Sequence, residues 1–304
     1  MNRILVTGAA SFTARHLFPV LAERFPEARL AGTDLPPRGP EKGEYYPADI
    51  TRRHEIAAVL EAVSPDLLIH LAGVASNDAD RCYAVNLEGT RNALQSAAAL
   101  PSPPSVLLIS SAAVYGHTRP EDNPVVETTP LRPVSAYGAS KAAAELFALA
   151  LHRQERLPVL VVRPFNLIGP GLPLGLAPSD FAAQVARIRR GEAPPVLRVG
   201  NLNPRRDFID ARDAVRAYAL LAADPSLYGR VFNLGTGKPV TIWTLIEGLL
   251  AAAGVEARME TDPARVRAVE VEEQIADLRA VEKATRWRPE IPFETSLREM
   301  VEEA

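Results

Sequence analysis

Residues 6–17, VTGAASFTARHL, join the short apolar run Arg3–Thr7 to a stretch of helical pattern, Phe12–Phe25. A loop between strand and helix with small residues at three set positions brings backbone N–H groups and a helix N-terminus up to a phosphate. Those positions are here Gly8, Ser11 and Ala14. Gly8 supplies the tight turn, and Ala14 suits a site that needs only close helix–strand packing. Ser11 departs from the pattern. If the backbone there must be left-handed, serine costs about 1–2 kcal/mol, which its hydroxyl partly offsets by bonding a phosphate oxygen. Phe12 and Thr13 open the helix and present free N–H groups to an anion whatever their side chains. The segment reads as a dinucleotide loop. An ordinary strand–turn–helix would share its pattern.

Outward from this loop the rhythm repeats. Apolar runs at Ala28–Thr33, Tyr45–Pro47, Leu67–Leu71, Val106–Ser110 and Val159–Arg163 alternate with helical patterns at Thr51–Val63, Val85–Ala99 and Tyr137–Gln154. Such alternation predicts a Rossmann-type α/β fold, a doubly wound parallel sheet covered on both faces. After Arg163 the rhythm breaks at the glycine- and proline-rich segment 164–178. Helices are expected at Ser179–Arg190, Ala211–Ala223, Thr241–Ala253, Leu278–Thr285 and Phe293–Val301, with strands at Val196–Val199 and Val231–Leu234. The expected division is a dinucleotide-binding domain at 1–165, rejoined by 207–235. A smaller, interleaved C-terminal substrate-binding lobe comprises 166–206 and 236–304. The cleft between them is the natural place for a substrate.

The 304 residues allow a sizeable core. A net charge of −3 indicates neither a nucleic-acid surface nor a basic membrane face. Cys82 is the sole cysteine, so no internal disulfide and no CxxC metal site can form. His16, His54, His70, His117 and His152 show no ligand spacing, and no metal is expected. With no apolar run of spanning length and no leader pattern, the expected location is cytoplasmic.

Two acidic positions extend the loop signal. Asp34 ends the second strand, where a carboxylate binds ribose hydroxyls and repels a 2′-phosphate. This favours NAD slightly over NADP, a choice that Arg38 softens. A plain turn aspartate is the competing reading. Asp49 and Ile50 follow the third strand, where an adenine edge can be held.

The segment SAYGASKAAAE places Tyr137 and Lys141 four residues apart on a helix, hence on one face. An ammonium beside a phenol favours the phenolate and brings it nearer neutral pH. Such a pair passes a proton to or from a hydroxyl or carbonyl. Alone, it is equally an exposed pair on an amphipathic helix. Upstream, LLISSAAVYG ends a buried strand with Ser110 and Ser111, either of which can polarise the same carbonyl.

Together these motifs resemble the extended short-chain dehydrogenases/reductases of the nucleotide-sugar epimerase/dehydratase family. LAGVAS (71–76), NLEGT (86–90), SSAAVYG (110–116), YGASK (137–141), RPFNLIGPG (163–171) and RRDFIDARD (205–213) match its motifs in order over nearly the whole chain. The resemblance implies an NAD(P) cofactor contacted by Leu71, Ala72, Gly73 and Asn86 as well as by the loop, Tyr137 and Lys141. It selects Ser111 over Ser110, makes Tyr137 the general acid or base, and gives Lys141 the nicotinamide ribose and the tuning of the tyrosine. Asn166 would contact a nucleotide-diphosphate sugar, and Arg206 its diphosphate. A homodimer is also implied, through the helices Val85–Ala99 and Tyr137–Gln154.

Dehydratases of this family place an acid just after the catalytic hydroxyl, where this chain has Ala112 and Ala113, so dehydration is not expected. The second half is most similar to GDP-6-deoxy-mannose reductases, which reduce a GDP-4-keto-6-deoxy sugar to GDP-D-rhamnose. There Arg267 and Glu270 match an element that grips diphosphate and ribose. As bare residues, Arg205–Arg206 and Arg267–Glu270 could each be surface ion pairs. A UDP-sugar 4-epimerase would share most of these positions, and a sensor that has retired its catalysis is a remote third reading.

Overall fold

Seven segments of four to six residues pair into one sheet in the computed structural model, which describes residues 1–37, 39–40, 43–265 and 271–304. The chain begins with β1 (Arg3–Thr7), α1 (Phe12–Arg24), β2 (Arg29–Asp34), β3 (Glu44–Pro47), α2 (Arg53–Val63) and β4 (Leu67–His70). It continues with α3 (Ala79–Cys82), a π-helical turn (Tyr83–Gly89), α4 (Thr90–Ala98), β5 (Ser105–Ile109), α5 (Ala136–Glu155) and β6 (Val159–Pro164). Then come β7 (Asn166–Ile168), α6 (Ala177–Arg189), β8 (Val196–Val199), β9 (Arg205–Asp210), α7 (Ala211–Ala222) and β10 (Val231–Leu234). The last elements are β11 (Pro239–Thr241), α8 (Ile242–Ala253), β12 (Arg258–Thr261), β13 (Glu273–Gln274), α9 (Arg279–Thr285) and α10 (Phe293–Glu303).

The large sheet runs β10-β6-β5-β4-β1-β2-β3 with every neighbour parallel. Strands β4 and β6 are buried along their whole length, as expected where helices cover both faces. On one face Leu17, Phe18 and Leu21 of α1 pack with Tyr218 and Leu221 of α7. On the other, Ile56 and Leu60 of α2 pack with Leu94 of α4 and Leu149 of α5. The strand order reverses between β1 and β4, which opens a crevice beyond their carboxyl ends.

A second core forms around Phe181, Val185, Leu245, Leu249 and Leu297, from α6, α8 and α10. Beside it lie a small sheet of β11, β9, β13 and β7 and the pair β8–β12. Three features depart from expectation. Strand β9 belongs to the small sheet through Asp210, so the return to the large sheet begins only at Ala211. Helix α9 packs on β10 and α7, and Val281 and Trp287 join the large-sheet core. The expected helix at Val85–Ala99 is instead a π turn followed by α4, with the Thr90 hydroxyl donating to the carbonyl of Asn86 at 2.6 Å. Among the described residues no helix is long and apolar enough to cross a membrane.

Candidate active site

At the crevice, the loops after β1 and β4 press together. Gly8 has φ +69°, and a Cβ on it would lie 2.8 Å from the Ala72 nitrogen. Leu71 N–H donates to the Thr7 carbonyl (3.2 Å) and Ala72 N–H to the Thr7 hydroxyl (3.3 Å). Both requirements, a left-handed backbone and close approach, make glycine necessary at this turn.

The strain anticipated at Ser11 is absent. Ser11 is extended (φ −75°, ψ 159°), not left-handed, and it caps α1 by accepting the Ala14 N–H at 3.2 Å. The cap leaves the N–H groups of Phe12 and Thr13 without a partner among the described residues. Two free amides at a helix N-terminus fit a pyrophosphate. A cavity of about 350 Å³ lies here, lined by Ala9, Ala10, Ser11, Phe12, Arg15 and Pro173 among others. The Asp34 carboxylate accepts the N–H groups of Ala10 (2.9 Å) and Leu35 (2.8 Å), which ties the end of β2 to the loop. Asp49 accepts both N–H and hydroxyl of Thr51, and the Asn92 amide holds the carbonyl of the buried Ile50 at 3.0 Å. Arg38, named above for cofactor choice, lies outside the described residues.

The hydroxyl and amine groups converge one strand further on. Ser135 caps α5 by accepting the Gly138 N–H, which sets Tyr137 and Lys141 in the first two turns. The Tyr137 hydroxyl faces the side chain of Ser111, whose oxygen also caps the turn at Ala112–Val114. Ser110 faces away and donates to the Glu145 carboxylate at 2.9 Å. Lys141 Nζ donates to the Ile109 carbonyl at 2.6 Å. Asn86, buried in the π turn, accepts the Val74 N–H (2.8 Å) and donates to the Val74 carbonyl (3.0 Å) and the Ser140 hydroxyl (2.9 Å). A Cβ on Gly73 would sit 3.1 Å from Asn86 Oδ1 and 3.3 Å from Lys141 Nζ, so this loop residue lies directly against both groups.

Beneath them runs a buried chain with one consistent direction. Thr90 donates to Asn86, so its oxygen accepts Nε2–H of His70 at 3.0 Å. Nδ1 of His70 then accepts from the Thr7 hydroxyl at 2.8 Å. Burial, assisted by the Lys141 charge, drives the His70 pKa down to about 3, and the ring is neutral.

The expectation that Lys141 lowers the tyrosine pKa is not met. Burial raises it at Tyr137, the Ser111 side chain opposes that, and the Cys82 thiol adds to it. The Lys141 ammonium is instead committed to the Ile109 carbonyl, and burial lowers its own pKa to about 8 against the pull of Glu145. Tyr137 in this state is a phenol, a proton donor rather than a base.

From the second lobe, Asn166 Nδ2 donates to the Asp207 carbonyl at 2.9 Å, and Arg206 Nη1 to the Arg205 carbonyl at 3.0 Å. Arg267 and Glu270 lie outside the described residues. One residue had no signal in the sequence. Gln274, in the two-residue strand β13, donates to the carbonyl of Ala112 at 3.2 Å, next to Ser111. Its register partner on β9 is Arg206, so both project from the same face of the small sheet. Among the described residues no group of His, Cys, Asp and Glu could hold a metal ion.

Comparison with known proteins agrees with this fold. The sequence profile of the NAD dependent epimerase/dehydratase family matches residues 4–235. GDP-6-deoxy-D-mannose reductase of Pseudomonas aeruginosa is 34% identical over 98% of this chain and 95% of its own length. The structure of RMD from Pseudomonas aeruginosa complexed with NADPH superposes with a TM-score of 0.87 at 32% identity, covering 100% of this chain and 98% of that one. UDP-glucose 4-epimerase of Thermus thermophilus, in complex with NAD, reaches a TM-score of 0.87 at 26% identity, covering 99% and 98%. Both nicotinamide cofactors thus occur among the similar structures, and the slight preference for NAD has no counterpart in them.

Proposed function

The chain belongs to the NAD dependent epimerase/dehydratase family, and on that premise we propose that it is an NAD(P)-dependent reductase of a nucleotide-linked 4-keto-6-deoxy sugar. The substrate class is that of GDP-4-dehydro-6-deoxy-D-mannose, yielding a GDP-D-rhamnose type of product. The observation that carries the reading is the facing pair Tyr137 and Ser111, the latter followed by Ala112 and Ala113, in a chain similar end to end to GDP-6-deoxy-D-mannose reductase. A hydroxyl pair without an adjacent carboxylate protonates and polarises a carbonyl but removes no carbon-bound proton.

Gly8, Ser11, Phe12 and Thr13 would hold the pyrophosphate, with Asp34, Asp49 and Ile50 around the adenosine and Leu71, Ala72, Gly73 and Asn86 along the crevice. The cofactor, when bound, supplies hydride to C4 of the keto sugar. Tyr137 donates its proton to the C4 oxygen, Ser111 polarises that oxygen, and Lys141 anchors the ribose side. Asn166 and Arg206 receive the nucleotide diphosphate, and Arg267 and Glu270 are assigned to the same task. NAD(P)H consumption with a GDP-4-keto-6-deoxy sugar tests this. Equal rates for the wild type and Tyr137→Phe would overturn it.

A 4-epimerase is the second reading, favoured by the superposition on UDP-glucose 4-epimerase. An epimerase keeps its oxidised cofactor, so denaturing freshly purified protein and recording the absorbance of what is released separates the two. The sensor reading loses its motive, since Ser11 is an unstrained helix cap. We also assign a homodimer through the α4–α5 face. Exposed Tyr83 and Leu146, on the π turn and α5, support it. Sedimentation of Leu146→Asp as a dimer indistinguishable from wild type would remove that face from consideration.

A further inference from the structure

The segment Glu273–Asp277 is anchored on two sides. On one side β13 pairs with β9, with Gln274 opposite Arg206, and the Ala276 N–H donates to Asp207 Oδ2 at 3.1 Å. On the other side it is bonded to the loop that leads away from β5. The Thr118 hydroxyl donates to the Glu273 carbonyl at 2.7 Å, and the Ile275 N–H donates to Asn123 Oδ1 at 3.0 Å. The Val125 N–H donates to the Ile275 carbonyl (2.7 Å), and the Asp277 N–H to the Val125 carbonyl (2.9 Å). None of these bonds uses the Gln274 side chain, so the backbone there is fixed independently of it.

That side chain belongs to a residue only 7% exposed, and it ends on the turn that follows Ser111. Its Nε2 donates to the Ala112 carbonyl at 3.2 Å, across 162 positions of sequence. Within the turn, Ser111 Oγ accepts the Ala113 N–H (3.1 Å), the Ser111 carbonyl accepts the Val114 N–H (3.2 Å) and the Ala112 carbonyl accepts the Tyr115 N–H (3.1 Å). Bonds of this tight type have poor geometry, and a single such turn holds its shape weakly. Helix α5 presses on it at Ala113, where a Cβ on Gly138 would stand 2.5 Å from the carbonyl oxygen. Among the described residues, Gln274 gives the one side-chain hydrogen bond that the Ala112–Val114 backbone takes from beyond Ser111.

We propose that Gln274 is a positioning residue: from the second lobe its amide holds the Ala112 carbonyl, and through it keeps the Ser111 hydroxyl in place for the reacting carbonyl. This rests on the reading of Ser111 as the group that polarises that carbonyl. Such a group has to be held to about 0.5 Å by what surrounds it. The strand pairing that seats Gln274 also seats Arg206, so the arginine assigned to the diphosphate and the amide that steadies the turn share one ladder. The task needs an N–H donor at this reach, which bulk alone does not supply.

Gln274→Met keeps the length of the side chain and loses the donor. Gln274→Glu keeps its shape and sets an acceptor against the Ala112 carbonyl. In the full chain, with NAD(P)H and a GDP-4-keto-6-deoxy sugar, kcat is expected to fall about tenfold or more in Gln274→Met and further in Gln274→Glu, at unchanged KM. Deuterium uptake by the peptide spanning Ser111–Tyr115 needs no substrate. It should run several-fold faster in both variants, while the peptides of β13 and α5 exchange as in wild type. Wild-type kcat in Gln274→Met, or wild-type uptake at the turn in both variants, overturns the inference. So does a loss confined to KM, which would make Gln274 a substrate contact. A loosened turn in a protein whose wild type reduces no nucleotide sugar supports the tether and counts against the proposed function instead.

Discussion

The hydroxyl of Ser11 accepts the backbone N–H of Ala14 at 3.2 Å, with Ser11 in an extended conformation. A residue that departs from the usual loop composition is thus a helix cap that keeps the next two amides free. Replacing it should cost what a cap costs. Ser11→Ala is expected to destabilise by about 1 kcal/mol, a melting shift of roughly 2 °C in a chain of this size. Ser11→Gly should lose only a few tenths. A glycine variant more stable than wild type in calorimetry would restore the left-handed reading.

Gly73 sits against Asn86 Oδ1 and Lys141 Nζ, at 3.1 and 3.3 Å from where a Cβ would stand. Both neighbours are committed by hydrogen bonds to Val74, Ser140 and Ile109, so neither can yield without breaking one. Gly73→Ala is therefore expected to lower the melting temperature as well as to weaken NAD(P)H binding. Calorimetric titration with the cofactor checks it, and unchanged affinity would exclude crowding at this loop.

His70 sets an acid limit on stability. Its pKa falls from 6.5 in the unfolded chain to about 3 in the fold, because burial disfavours the imidazolium. Between those values the unfolded chain binds more protons, so stability is fully present above 6.5 and declines as pH falls toward 3. From pH 7 to pH 5 this one group should remove about 2 kcal/mol. Urea denaturation at the two pH values, in wild type and His70→Asn, measures it. An equal loss in both proteins would assign the effect elsewhere.

Lys141 sets an alkaline limit on activity. Burial lowers its pKa to about 8, so raising the pH through that value removes the ammonium. Turnover as kcat/KM should fall about tenfold per unit beyond it, and Lys141→Met should abolish that limb at a lower overall rate. Persistence of the limb in Lys141→Met would place the ionisation on another group.

Tyr137→Phe should lower kcat by about 10²–10⁴ while leaving cofactor affinity within a few-fold. Ser111→Ala should lose less, because Tyr137 still reaches the carbonyl. A Ser110→Ala variant, by contrast, acts through Glu145 and should change stability more than turnover. If Ser110→Ala and Ser111→Ala proved equally inactive, the division of roles between the two serines would be wrong.

The large sheet was legible because its strands are short apolar runs broken by helices whose faces repeat every three to four residues. That signal is local, and burial on both faces makes it strong. The Gly8 turn, the Tyr137–Lys141 spacing and the seryl strand end were legible for the same reason. The π turn was not, since Val85–Ala99 carries the same helical periodicity with or without one widened turn. Nor were β7, β9, β11 and β13, whose two to six residues include Arg205, Arg206, Asp207, Glu273 and Gln274 and show no alternation. Their pairing is decided by partners as far apart in sequence as Arg206 and Gln274.

By itself, then, the order of residues determined the parallel sheet, the helix start after Gly8 and the candidate reacting groups, because each depends on neighbours within a few positions. Only the tertiary structure decided that Ser11 is a cap, that Lys141 answers to Ile109, that Ser110 answers to Glu145, and that Gln274 reaches Ala112. Those relationships join segments tens to more than a hundred residues apart, or turn on a backbone angle that several side chains would permit. Burial then sets the proton affinities of Tyr137, Lys141 and His70, and burial is a property of the packed chain.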